Sequence, residues 1–235
     1  MSSETLHPDD QISHWKDRWD KGQIGFHRTY VNPALQRHVE KLIPEAGANA
    51  VFFPLCGKSV DMKWMADRGL TVIGVEGVQS AIEQFFHEQL LDYVVDEVPS
   101  AGSGAKVYQS HDGRIRLYHC DIFHFTSELE GTVDAVVDKN SLIALPRKDV
   151  PRYVQVIKNM LSPGGRILLD VVEYELSLMD EVEGPNKPPP PFPMYEEELK
   201  TLYGPEFSVE FLERNSAELR GKQIYCSSYL LIKKS

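Results

Sequence analysis

The chain has 235 residues, 42% of them hydrophobic, which suits one α/β domain with a sizeable core and excludes compositional disorder. Its formal net charge of −10 comes without any basic stripe, which excludes a protein that binds nucleic acid by neutralising phosphates. No run approaches the roughly 18 apolar residues of a membrane span, and the polar stretch from Met1 to Gln11 lacks the apolar region of a secretory signal. Three widely spaced cysteines, Cys56, Cys120 and Cys226, form no Cys-x-x-Cys pair. Reduced thiols, no metal, a cytoplasmic location and a monomer are therefore expected.

In chain order, residues 1–12 are expected to be disordered, and a helix then carries Trp15 and Trp19 on one face. A loop with Gly22, Gly25, Phe26 and His27 follows, and Asn32-Pro33 caps and opens a second helix with the apolar stripe Leu35, Val39 and Leu42. Ala50–Phe53 reads as a strand that runs into the turn Pro54-Leu55-Cys56-Gly57-Lys58-Ser59 and a helix ending near Gly69. Thr71–Glu76 is the next strand, and Ser80 with Glu83 reads as the capping box of the helix after it. Further strands are expected at Ile115–His119, Val133–Val137 and Arg166–Val172, with a helix at Val150–Leu161 between the last two. Residues 183–193 form a Pro-rich loop that is either a lid or a connection. A short helix at Tyr195–Tyr203 precedes two closing strands near Ser208–Glu213 and Ile224–Ile232. Strands alternating with helices predict a single domain over residues 1–235. Its fold class is α/β and Rossmann-like, with a seven-stranded, mostly parallel sheet, helices on both faces and a C-terminal antiparallel hairpin.

The strand–turn–helix–strand unit over 50–76 carries the chemistry. Gly57 permits close backbone approach, and Glu76 stands 19 residues beyond it at the end of the second strand, where a carboxylate accepts from both ribose hydroxyls of an adenosine-type cofactor. An ordinary βαβ unit with a surface Glu is the bland alternative. The turn lacks Gly-x-Gly-x-x-Gly, and a P-loop would need glycine where Phe52 stands. A cofactor without phosphates fits better, and S-adenosylmethionine is such a cofactor. In Cys120-Asp121-Ile122, Asp121 is placed to accept from the adenine amino group and Ile122 to pack on the ring; Asp121 reads equally well as a helix N-cap.

The chain resembles the thiopurine S-methyltransferase family. The resemblance rests on Trp15-x-x-x-Trp19-x-x-Gly22-x-x-Gly25-Phe26-His27, on Phe52-Phe53-Pro54-Leu55-Cys56-Gly57-Lys58, and on Met62 to Gly69 with Gly74-Val75-Glu76. It implies a class I methyltransferase fold and methyl transfer from S-adenosylmethionine to an aromatic or heterocyclic thiol, a small-molecule acceptor. It also implies cofactor contacts from Trp15, Trp19, Phe26, Leu55, Glu76 and Ile122, with residues 13–27 as a cover. The family's Asp-Arg after the Val133–Val137 strand is Asp138-Lys139 here, and a family arginine near the C-terminus corresponds to Arg220. Asp138, Lys139 and Arg220 are thus the expected acceptor-side residues. Lysine is a point charge where arginine is a planar fork, so acceptor preference differs at that position. The competing readings are a small-thiol, halide, selenium or tellurium methyltransferase, and a cofactor-binding protein without catalysis.

Overall fold

A computed structural model describes residues 8–44, 49–179 and 190–234. The elements in chain order are α1 (Pro8–Asp20), α2 (Pro33–Leu42), β1 (Ala50–Phe53), α3 (Val60–Ala66), β2 (Thr71–Glu76), α4 (Gln79–Glu88), β3 (Tyr93–Glu97), β4 (Lys106–Ser110), β5 (Ile115–His119), α5 (Ser127–Glu130), β6 (Val133–Lys139), α6 (Val150–Met160), β7 (Leu161–Glu173), α7 (Glu196–Tyr203), β8 (Phe207–Leu219) and β9 (Lys222–Lys233). Helix α1 begins at Pro8, so residues 8–12, expected to be disordered, are helical. The chain divides into two compact units. One holds the described residues up to Val31 together with Leu55–Phe125, and the other holds Asn32–Pro54 and the described residues from Thr126 onward.

In the first unit, β2 pairs parallel with β5, β5 antiparallel with β4, and β4 antiparallel with β3. Helices α3 and α4 pack on β2. They bury Met62, Met65, Ile82, Phe85 and Phe86 beside Val72, Ile73 and Val75. Burying each such side chain contributes roughly 1.5–3 kcal/mol. Gly74 is required at its position, since a Cβ there would stand 2.6 Å from Leu117 Cδ2 and 2.9 Å from Cys56 Sγ. The glycine lets Cys56 and Leu117 pack closely on β2.

In the second unit, β1, β6 and β7 run parallel, β7 pairs antiparallel with β9, and β9 with β8. Helices α2 and α6 pack on β7, and α7 packs on α6 and β8. Asn32 caps α2 as its sequence predicts, its side chain accepting from the Ala34 N–H at 3.0 Å. The C-terminal hairpin is present, with Arg220-Gly221 at its tip.

The described residues hold nine strands, not seven, and the pairing is mixed rather than mostly parallel. The two additional strands are β3 and β4. Every residue of β3 is exposed, so no apolar alternation marks it. In β4 a core-facing position is filled by Ser110, whose buried hydroxyl donates to Asp112 Oδ1 at 2.6 Å and accepts from the Ile115 N–H at 3.0 Å. A serine satisfied by its own turn hides the two-residue period. The Ser80 capping box is also absent. Helix α4 begins two residues earlier, at Gln79 with Val78 as its N-cap, and the Val78 N–H is taken by a carboxylate from outside the helix. The lid reading of 183–193 falls mostly on residues 180–189, outside the described residues.

Candidate active site

The expected cofactor residues all fall in the first unit. Leu55 and Gly57 both adopt left-handed backbone conformations, φ 43° and 53°, on either side of Cys56. The turn is tied down twice. The Cys56 N–H donates to the Val75 carbonyl at 2.9 Å, and the Gly57 N–H donates to Glu76 Oε2 at 2.8 Å. The other carboxylate oxygen, Oε1, accepts from the Val78 N–H at 2.9 Å, at the start of α4. Glu76 is 7% exposed, and burial pushes its pKa up while the Gly57, Val78 and Gly77 N–H groups pull it down. A carboxylate has about four acceptor positions, so two backbone donors leave capacity for hydroxyl donors.

Helix α1 closes over this turn. Trp19 is 7% exposed and packs with Val78 and Ala81, with Trp15 and Ile24 beside them. A Cβ on Gly57 would stand 3.3 Å from Trp19 Cζ2, and one on Gly77 would stand 3.2 Å from Ile12 Cγ1. Phe26 stacks edge-on against Trp15 at 5.4 Å and against Trp19 at 5.9 Å. The three aromatic residues of the expected cover therefore form one cluster over the Leu55–Gly57 turn.

Asp121 caps a 3₁₀ turn at Ile122–His124, accepting from the Phe123 N–H at 2.9 Å, and Ile122 is buried. His119, the register partner of Glu76 on β5, has a buried Nδ1 with no partner among the described residues. An orphaned ring nitrogen next to a carboxylate with spare acceptor capacity fits a polyhydroxylated, nitrogen-rich ligand such as adenosine.

One residue of the turn escapes sequence reasoning. Lys58 is 7% exposed, and its Nζ donates to Gln84 Oε1 at 3.0 Å and to Glu88 Oε1 at 2.6 Å. It also stands 5.8 Å from the Trp19 ring, so it braces both the turn and the cover. Its signal in the sequence is a glutamine and a glutamate four apart on α4, beyond the next strand.

The residues expected on the acceptor side belong to the second unit. Asp138, near the end of β6, is fully buried. Its Oδ1 accepts from the Ser141 N–H at 3.0 Å and the Leu142 N–H at 3.1 Å, and its Oδ2 from the Tyr153 hydroxyl at 2.8 Å. Ser141 in turn donates to the Pro54 carbonyl at 2.6 Å. The carboxylate thus shapes the turn that follows Lys139, in which Asn140 takes φ 66°. Burial pushes the Asp138 pKa up to about 6, against the pull of its three donors. A buried acid whose folded pKa lies above its unfolded value near 3.8 holds its proton more tightly in the native state. Its contribution is present below pH 4 and is lost as pH rises through 6. Denaturant titrations from pH 4 to 7 should show Asp138→Asn losing this pH dependence, a difference of up to about 3 kcal/mol. Parallel curves for wild type and variant would contradict the assignment.

Lys139 is half-buried at the last position of β6. Arg220 is exposed at the hairpin tip with φ 53°. Its guanidinium donates to the Pro190 carbonyl at 3.4 Å, and its charge acts on Tyr174 just beyond β7. No helix among the described residues is long and apolar enough to cross a membrane.

A family model for thiopurine S-methyltransferase (TPMT) matches residues 10–226. The chain belongs to the thiopurine S-methyltransferase family. It is 38% identical over 205 residues to a probable thiopurine S-methyltransferase of Danio rerio, covering 86% of this chain and 83% of that one. It is 36% identical over 233 residues to the thiopurine S-methyltransferase of Oryctolagus cuniculus, covering 95% and 90%. Among solved structures it resembles the 1,6-didemethyltoxoflavin-N1-methyltransferase of Burkholderia thailandensis, determined with 1,6-didemethyltoxoflavin and S-adenosylhomocysteine bound. The TM-score is 0.63 at 16% identity, covering 100% of this chain and 94% of that one. At that identity the likeness speaks for the fold, which is the Rossmann-like class I methyltransferase fold. Family and fold together make the chain an S-adenosylmethionine-dependent methyltransferase.

Proposed function

We propose that the enzyme methylates the sulfur of aromatic or heterocyclic thiols. The observation that carries this reading is the sequestration of Asp138. The acid at the end of β6 has one oxygen committed to its own turn and the other to the Tyr153 hydroxyl of α6, and it is fully buried, so it is not presented as a general base. An acceptor that ionises by itself needs no such base, and aromatic thiols are of that kind.

Bound S-adenosylmethionine would supply a methyl on a sulfonium, from which the neutral thioether S-adenosylhomocysteine leaves readily. In this reading Glu76 holds the ribose, Asp121 and Ile122 border the adenine, and Leu55 and Gly57 form the turn beneath. Trp15, Trp19 and Phe26 exclude water and offer ring faces to a cation, each such contact being worth about 0.5–2 kcal/mol. What remains for the protein is alignment of nucleophile and methyl. Lys139, and Arg220 at the hairpin tip, favour the anionic form of the acceptor, since a nearby positive charge lowers an acid's pKa. Asp138 is a positioning residue that shapes the turn after Lys139.

The test is a pH profile. Lys139→Met should lower kcat/KM about ten-fold below the acceptor's own pKa and much less above it, where the thiolate forms unaided. Several thiols of different acidity separate acceptor ionisation from enzyme ionisation. Profiles unchanged across all of them would remove Lys139 from the mechanism.

A further inference from the structure

Strand β7 carries a carboxylate in an apolar run: Asp170 stands between Leu169 and Val171, both of them buried. Each of its oxygens has its own donor. Asn32 Nδ2 donates to Oδ2 at 2.6 Å, and Ser228 Oγ donates to Oδ1 at 2.6 Å. Both donors are buried, 5% and 6% exposed. The Asn32 amide is fixed in turn, because its Oδ1 accepts from the Ala34 N–H at the cap of α2. Ser228 is the register partner of Asp170 on β9. Two separate segments therefore pin one carboxylate in one orientation, an arrangement that strand packing alone does not require.

A pinned charge acts on the cations around it. In the parallel pairing of β6 with β7, Lys139 is the register partner of Asp170, so the two side chains leave the same face of the sheet. Arg37 of α2 also feels the Asp170 charge, but it is engaged by Glu213. Asp138, the residue before Lys139, feels it as well.

We propose that the Asn32–Asp170–Ser228 cluster positions Lys139 and biases the enzyme toward singly charged thiolates, against acceptors that carry a second negative charge. This rests on the reading of Lys139 given above. Asp170 offsets part of the lysine's positive field, so that the lysine favours one negative charge more than a second, while its two donors stop the carboxylate from swinging away. Asp170 is a positioning and specificity-determining residue and takes no part in the bond changes.

The test compares benzenethiol with 2-mercaptobenzoate, which adds a ring carboxylate, in wild type, Asp170→Asn, Lys139→Met and the double variant. Asp170→Asn should shift the ratio of kcat/KM about ten-fold toward 2-mercaptobenzoate, chiefly through KM. The shift should vanish in the Lys139→Met background. A merely structural role would impair both acceptors alike, whatever stands at position 139. If circular dichroism shows Asp170→Asn unfolded, Asp170→Ser gives the same reading. If Lys139→Met leaves both acceptors unchanged, the reading of Lys139 fails and the cluster's role falls with it. If Lys139→Met matters while neutralising Asp170 shifts no ratio, or shifts it equally in both backgrounds, the cluster's role alone is overturned.

Discussion

Replacing Glu76 by alanine is expected to weaken S-adenosylmethionine binding at least ten-fold, and up to a few hundred-fold. The carboxylate does two jobs. It accepts from Gly57 and Val78, joining the Leu55–Gly57 turn to the start of α4, and in the proposed complex it also takes the ribose hydroxyls. Hydrogen bonds to a charged group contribute roughly 1.5–3 kcal/mol each, and an N–H left buried without a partner costs about 1–3 kcal/mol. Two orphaned backbone donors and a lost ligand contact together set the upper end of the range. Calorimetric titration measures it. Glu76→Gln separates the two jobs, because it keeps the volume but offers one acceptor oxygen and turns an NH₂ toward a backbone N–H. Unchanged affinity in both variants would remove Glu76 from the cofactor site.

Trp19→Ala is the second large effect. Trp19 is 7% exposed, meets Gly57, Val78 and Ala81, and has Phe26 on its edge and Lys58 over its ring. Truncating a buried tryptophan costs about 3–5 kcal/mol of stability. Here the loss also uncovers the Leu55–Gly57 turn and removes the ring that meets Gly57. S-adenosylmethionine should therefore raise the melting temperature of Trp19→Ala less than that of wild type, because a ligand stabilises only as far as it binds the native state. An equal shift at equal ligand concentration would show that Trp19 is core packing alone. Phe26, at 39% exposure, gives the contrast. Its replacement by alanine should cost little stability yet still weaken binding.

The local structure around the Leu55–Gly57 turn was readable from sequence because its signals are local. The 19-residue spacing from Gly57 to Glu76 follows from one turn, one helix and one strand, and the structure joins those two residues directly. The tryptophans four apart on α1 share a face for the same reason. What was not readable depends on distant partners. Strand β3 is exposed at every position and so shows no period. The start of α4 is capped by Glu76 rather than by a residue of its own, so the Ser80–Glu83 pattern misled. Asp138, expected on the acceptor side, accepts from Tyr153 and from the Ser141–Leu142 turn, partners that no local pattern announces. For Asp170 the local signal is an acid between Leu169 and Val171, while its donors Asn32 and Ser228 come from distant segments.

Methyl transfer to aromatic sulfur is read out by following the labelled methyl group. The enzyme is incubated with methyl-labelled S-adenosylmethionine and, separately, with benzenethiol, a thiopurine, a small aliphatic thiol, halide, selenite and tellurite. The labelled product is then identified by mass spectrometry. Label on the sulfur of benzenethiol and the thiopurine, with equimolar S-adenosylhomocysteine and kcat/KM well above that for the other acceptors, is the predicted result. Label that goes to halide, selenium, tellurium or the small thiol while the aromatic sulfurs stay unmethylated would contradict the account.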